Sequence, residues 1–261
     1  MGKKDVRLNR LVEILRLQNG GTTIRELASM LDVSEMTIRR DLDVLKSQNI
    51  VLDIPGAGVL NSKYIVNQNE EDGYQLSVAS KSHRPEKSRL GKFAASLIKQ
   101  DDCVIIDNGS TMECLAESID WNTRMTILTC NLNILNKICN NPNFSIIFGG
   151  GYYHPDTTLF ESAENIELIK NTRATKVFAS AAGVHSTMGI TCANSYELET
   201  KQALLESGAE KILLVDSSKF DIIKPCFWTD IDAFDRVITD KNISEEWIDL
   251  LKEKGIKLDI V

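Results

Sequence analysis

The sequence predicts an α/β protein in two unequal parts: a small N-terminal winged helix-turn-helix head, then a body with a mainly parallel sheet. Three observations carry this. Past residue 100, short apolar runs alternate with helical patterns, as strands and helices do in layered α/β folds. Near residue 40, one helical pattern sets arginines opposite its apolar stripe, and two β-rich runs around a Pro-Gly turn follow it. Charge divides the same way: residues 1–64 hold ten Lys/Arg against eight Asp/Glu, a net +2, and residues 65–261 hold twenty against twenty-nine, a net −9. The formal total of −7 excludes a generic nucleic-acid coat, which needs excess basic charge, but leaves room for a small DNA-reading module.

In the head, Leu8, Leu11, Val12 and Leu15 recur at helical spacing over about Asp5 to Gln18, and Asn19-Gly20-Gly21 ends that helix. Thr22-Thr23 supplies an N-cap for a second helix with Ile24, Leu27, Ala28 and Leu31 as its stripe. Asp32-Val33-Ser34 turns the chain, and Ser34 caps a third helix that begins Glu35-Met36-Thr37. There Ile38, Leu42 and Leu45 face one way, and steps of 100° put Met36, Arg39, Arg40, Asp43 and Ser47 on the other. Two short helices joined by a tight turn, the second with guanidinium groups outward, match a helix-turn-helix. Arginine suits base edges and phosphates because its fork of donors engages two acceptors together. The alternative is a small helical domain whose arginines are merely solvated. Ile50 to Leu60, with Pro55-Gly56-Ala57-Gly58 at its centre, reads as a hairpin wing.

Ser62 to Arg84 is polar and reads as a linker. Pro85 suits the first turn of a helix running Glu86 to Lys99, with Leu90, Phe93, Ala94, Leu97 and Ile98 buried. The division expected is therefore head 1–60, linker 61–84 and body 85–261. In the body, strands are expected at 103–106, 125–129, 144–148, 176–180, 211–215, 237–238 and 256–261, and the last helix at about Ser244 to Glu253.

Ligands of such sheets sit past the carboxyl ends of the strands, so the loops there are the candidates. Asp107-Asn108-Gly109-Ser110-Thr111 follows a strand and opens a helix, where amides and hydroxyls can hold an anion. An ordinary capped turn is the alternative, and neither a Walker A loop nor G-x-G-x-x-G is present. Gly149-Gly150-Gly151 also occurs as a plain turn. Glu197 and Lys201 stand at i, i+4, a spacing that serves equally for a surface pair. Lys219, after two serines at a strand end, could meet a phosphate or be a plain loop lysine.

Other classes find no support. No apolar run approaches the ~18 residues of a membrane span. The start carries no secretory pattern. The six cysteines form no C-x-x-C pair and read as reduced core thiols of a cytoplasmic protein, and the three histidines are scattered, so neither a metal nor a cofactor is expected.

Ser34-Glu35-Met36-Thr37-Ile38-Arg39-Arg40-Asp41-Leu42 resembles the Ser-x-x-Thr-Ile-Arg-Arg-Asp-Leu signature of DeoR-type repressors. The body resembles the same family in order: Lys87, Leu90, Ala94 and Ala95; Asp107 to Thr111; Gly150-Gly151-Tyr152-Tyr153; Ala181-Ala182-Gly183-Val184; Glu197 with Lys201; Asp216-Ser217-Ser218-Lys219-Phe220; and Val237-Ile238-Thr239-Asp240. Ala181 to His185 with Gly189 to Asn194 is similar to the branch governing deoxyribose catabolism. The resemblance implies an effector body folded like sugar-phosphate isomerases of the ribose-5-phosphate type. It implies operator DNA as partner of Ser34, Glu35, Met36, Thr37, Arg39 and Arg40. It further implies a sugar-phosphate effector, such as deoxyribose 5-phosphate, held by Asp107, Gly109, Ser110 and Thr111. Thr129 and Asn131 would lie at the next strand end, and Gly150 and Gly183 in adjoining loops. Glu197 and Lys201 would lie near the sugar hydroxyls, and Lys219 near the phosphate. Ser110 departs from the commoner Thr, keeping the hydroxyl and losing a methyl. A homo-oligomeric repressor without catalysis is expected. The alternative is an active isomerase with an appended DNA-binding domain, for which Glu197 or Asp107 would have to serve as the base.

Overall fold

The computed structural model describes residues 7, 8, 10, 11, 14, 23–47, 51–54, 57–60 and 74–261, with side chains through 45 in the head and none on the wing. Much of the first expected helix, its Asn19-Gly20-Gly21 stop, Pro55-Gly56 and linker residues 61–73 therefore lie outside the described residues.

In the head, α1 (Ile24–Leu31) starts at a reciprocal cap: the Thr23 hydroxyl accepts from the Glu26 amide, and the Glu26 carboxylate accepts from the Thr23 amide. Asp32 closes α1 in the left-handed conformation, φ 51°. α2 (Glu35–Ser47) follows after the three-residue turn Asp32-Val33-Ser34, and β1 (Val51–Ile54) pairs antiparallel with β2 (Ala57–Leu60) as the expected hairpin. Leu11, Leu27, Ile38, Leu42 and Leu45 form the head's core, joined by Met188 and Ile223 from the body.

The body opens with α3 (Leu76–Ala79), a turn inside the segment read as linker, and α4 (Arg84–Ser96), which starts and ends earlier than the pattern suggests. Then come β3 (Cys103–Ile106), α5 (Ser110–Ser118), β4 (Met125–Thr129), α6 (Leu132–Ile138), β5 (Phe144–Phe148), the hairpin β6 (Tyr152–His154) with β7 (Leu159–Glu161), and α7 (Ala163–Asn171). β8 (Ala174–Ala179), β9 (Gly183–His185), β10 (Gly189–Cys192), α8 (Leu198–Ser207), β11 (Gly208–Leu214), β12 (Cys226–Thr229), β13 (Arg236–Thr239), α9 (Glu245–Glu253) and β14 (Lys257–Ile260) complete it.

Seven strands form one parallel sheet in the order β14-β13-β11-β8-β3-β4-β5. Alternation of side chains along each strand fills both faces. Val104 and Ile106 join Leu90, Met112, Leu115 and Ile134 on one side, and Ile105 joins Ile169, Leu204, Trp247 and Leu251 on the other. From β3 the chain runs outward through β4 to β5, then returns to β8 and runs outward the other way. The direction of winding therefore reverses between β3 and β8, the place where such sheets open a crevice.

Beside this sheet lies a small antiparallel one, β12-β10-β9. It and the β6–β7 hairpin are absent from the pattern reading, because none of these short strands carries a continuous aliphatic run like Val104-Ile105-Ile106 of β3. Not all the cysteines are core residues: all six are free, but Cys139 is exposed. Among the described residues no helix is long and apolar enough to cross a membrane.

Candidate functional site

The crevice at the β3/β8 junction is built by the loop after β3. Asp107, buried at the strand end, takes the Ser180 amide at 3.1 Å and the Lys201 ammonium at 2.5 Å on one carboxylate oxygen. Ser180, just past β8, donates its hydroxyl to the Asn108 carbonyl at 2.7 Å, tying the two strand ends together. Gly109 then turns into α5 with φ +118°, and an added Cβ would stand 2.6 Å from the Ser180 hydroxyl. Only glycine meets both conditions. A glycine N-cap also leaves the first turn of α5 without a side-chain acceptor. The Ser110 and Thr111 side chains are 6% exposed, and neither hydroxyl has a partner among the described residues. Free amides and two free hydroxyls at a helix start make a cradle for an anion.

Two lysines face that cradle. Lys219 lines the cavity, and its side chain has no ion pair among the described residues. Lys87, on α4, also lines it and donates to the Ala79 and Ser82 carbonyls, each at 2.8 Å, rather than to a carboxylate. Burial pushes the Lys87 ammonium below the ordinary lysine range and Lys219 adds to the push, while Asp216 opposes it. Two cations turned on one space without direct carboxylate partners disfavour each other's charge, and an anion between them would relieve this.

The other end of the cavity is already neutralised. Glu197 ends a 3₁₀ turn (Ser195–Glu197) and accepts the amide and side-chain N–H of Asn194, each at 3.1 Å, and the Asn108 side chain at 2.8 Å. Lys201, 2% exposed, lies 4.7 Å from the Trp228 ring centre. Burial disfavours its charge, yet Asp107 and Glu197 outweigh burial and hold its pKa above the usual value. Glu197 and Lys201 are thus not a surface pair; each is buried and bonded to the β3 loop. Tyr74 reaches this end from the segment before α3, and burial followed by Glu197 and Asp107 drives its phenol upward, keeping it a neutral donor.

The cavity brings together Gly109, Ser110, Thr111, Glu197, Lys201 and Lys219, with Asp107 behind Lys201. Four others stand outside its lining. Thr129 and Asn131 are fully buried: the Thr129 hydroxyl accepts the Asn131 amide, and the Asn131 side chain holds Thr157 and Thr158. Gly150 is exposed in its turn, with nothing near where a Cβ would stand. Gly183 packs on the chain at Ile222, whose carbonyl would be 2.5 Å from a Cβ.

Sequence reasoning missed Lys87 and Tyr74 as lining residues. The signal for Lys87 was a lysine within an apolar stripe, in register with Leu90 and Ala94; that for Tyr74 was an aromatic at the end of a polar segment. Among the described residues no group of three His, Cys, Asp or Glu is arranged to hold a metal.

In the head, the signature divides into supports and exposed groups. Ser34 caps the Thr37 amide at 3.2 Å and bonds its hydroxyl at 2.9 Å. Asp41, 1% exposed, clamps Arg7 through two bonds at 2.6 and 3.1 Å. Glu35, Met36, Arg39 and Arg40 are exposed, and neither arginine has a side-chain partner among the described residues.

Comparison with known proteins matches residues 82–241 to the DeoR C terminal sensor domain and residues 7–59 to an HTH domain. The chain is 30% identical to the HTH-type transcriptional regulator GolR of Listeria innocua, covering 97% of each chain. It is 29% identical to the deoxyribose operon repressor of Escherichia coli, covering 98% of each. Among solved structures, a ribose 5-phosphate isomerase A from Methanocaldococcus jannaschii aligns at a TM-score of 0.39 and 14% identity, over 53% of this chain and 55% of that one.

Proposed function

The chain belongs to the DeoR family of helix-turn-helix transcriptional regulators, and from that premise we propose that it represses a sugar-catabolic operon and is released from its operator by a phosphorylated sugar. The observation carrying the effector reading is the uncompensated pair Lys87 and Lys219, set against the free amides and hydroxyls of Gly109 to Thr111. That end suits a phosphate. The opposite end, with Glu197, Asn108, Lys201 and Tyr74, suits the hydroxyls of a small sugar. Deoxyribose 5-phosphate is the first candidate, in keeping with the name of the Escherichia coli relative.

Release requires that the phosphosugar prefer a body conformation in which paired heads no longer match two half-sites. A cytoplasmic homo-oligomer with head 1–60, linker 61–84 and body 85–261 belongs to this reading, with Tyr74 to Ser82 already packed on the body. An isomerase is disfavoured because Glu197 accepts three amide hydrogens and Asp107 is paired with Lys201. Donors already bonded to these carboxylate oxygens compete with a substrate proton for them.

The test is a thermal-shift series with deoxyribose 5-phosphate, ribose 5-phosphate and unphosphorylated deoxyribose. Stabilisation by a phosphorylated sugar only is expected, following linkage. Joint Ser110→Ala and Thr111→Ala replacement should abolish it while operator binding persists. A normal response in that variant removes the phosphate cradle, and turnover of ribose 5-phosphate to ribulose 5-phosphate removes the non-enzymatic reading.

A further inference from the structure

Met36 is 58% exposed, on the solvent side of α2. Around the helix, Arg40 stands about 40° to one side of it and Arg39 about 60° to the other, while Ile38, Leu42 and Leu45 lie near the opposite pole. It belongs to the first turn, the part of a recognition helix that reaches base edges. An apolar side chain set between Arg39 and Arg40 on the outward face, with Asp43 two turns further along, gains nothing from phosphate and lacks donors for a base edge. The one apolar group that the major groove presents is the thymine C5-methyl.

We propose that Met36 reads a thymine methyl, setting a thymine requirement at one position of each half-site, between contacts made by Arg39 and Arg40. The inference rests on the DNA-binding reading of α2. Methionine suits the task because its unbranched thioether adapts to the groove surface. The arginines supply hydrogen bonds and phosphate neutralisation; Met36 supplies discrimination of thymine from cytosine and uracil.

The experiment uses the full chain and a pool of random duplexes from which bound sites are selected. Each thymine of a selected site is then replaced by deoxyuridine, which keeps pairing and removes only the methyl. Replacement at that position in a single half-site should weaken wild-type binding about fourfold, the worth of one buried methyl. In Met36→Ala that sensitivity should vanish and selected sites should lose the thymine, with the salt dependence of binding unchanged. Met36→Leu should retain most of it. Uniform tolerance of deoxyuridine by the wild type, or undiminished sensitivity in Met36→Ala, overturns the proposal. Failure of the wild type to bind any duplex overturns the DNA-reading premise itself, and the inference with it.

Discussion

Lys87 and Gly109 show how much single residues decide at this site. Lys87 is buried with its ammonium on two neutral carbonyls, and its pKa lies below the ordinary lysine value because of burial and then Lys219. A bound phosphate favours the charged form, so the bound pKa exceeds the free one and binding takes up a proton between them. Effector affinity should therefore fall as pH rises through the lowered free pKa, at lower pH than an ordinary lysine would require. Lys87→Met should remove that pH dependence and weaken phosphosugar binding by roughly ten- to a hundredfold, the worth of a charge-assisted hydrogen bond; calorimetric titration across alkaline pH checks both. For Gly109, any side chain meets the Ser180 hydroxyl and an unfavourable φ. Gly109→Ala should cost about 1–3 kcal/mol of body stability and remove effector binding; a variant with unchanged melting and affinity would show that the loop can relax.

At the scale of elements, α1 owes its start to the Thr23–Glu26 cap. Thr23→Ala should destabilise the head by about 1 kcal/mol and weaken operator binding, leaving effector affinity in place; an equal loss of both in parallel titrations would contradict this. Caps, stripes and turn residues of this kind were legible in the sequence, as were α2 and the long strands of the main sheet. The β3 loop was legible too, because Asp107 to Thr111 joins a strand to a helix. Short elements were not. β9, β10 and β12 have three or four residues each without a continuous aliphatic run, and β12 is held by a partner distant in sequence, Cys226 opposite Cys192. The site was legible only where one loop carried it. Lys87, Tyr74 and Lys201 converge from separate segments, and spacing along a helix could not tell a surface pair at 197 and 201 from two buried groups bonded elsewhere.

Over the whole molecule, the cavity and the head meet through the small sheet. Cys192 and Ala193, at the end of β10, line the cavity, while Met188, just before that strand, joins the head's core. Thr191 accepts the Lys224 amide at 2.9 Å and donates to the Gly183 carbonyl at 3.2 Å, fastening the loop that carries Ile223 into the same core. A ligand that shifts β10 therefore acts on both head contacts. Spatial continuity alone does not establish coupling; an equilibrium that both ligands bias does. If effector lowers operator affinity by some factor, operator must lower effector affinity by the same factor. Titrating effector with and without saturating operator duplex measures that factor from one side, and titrating operator at fixed salt measures it from the other. Met188→Ala should shrink the factor, because a head less tied to β10 feels less of its displacement. An undiminished factor in a stably folded Met188→Ala would mean that the signal does not travel through this contact.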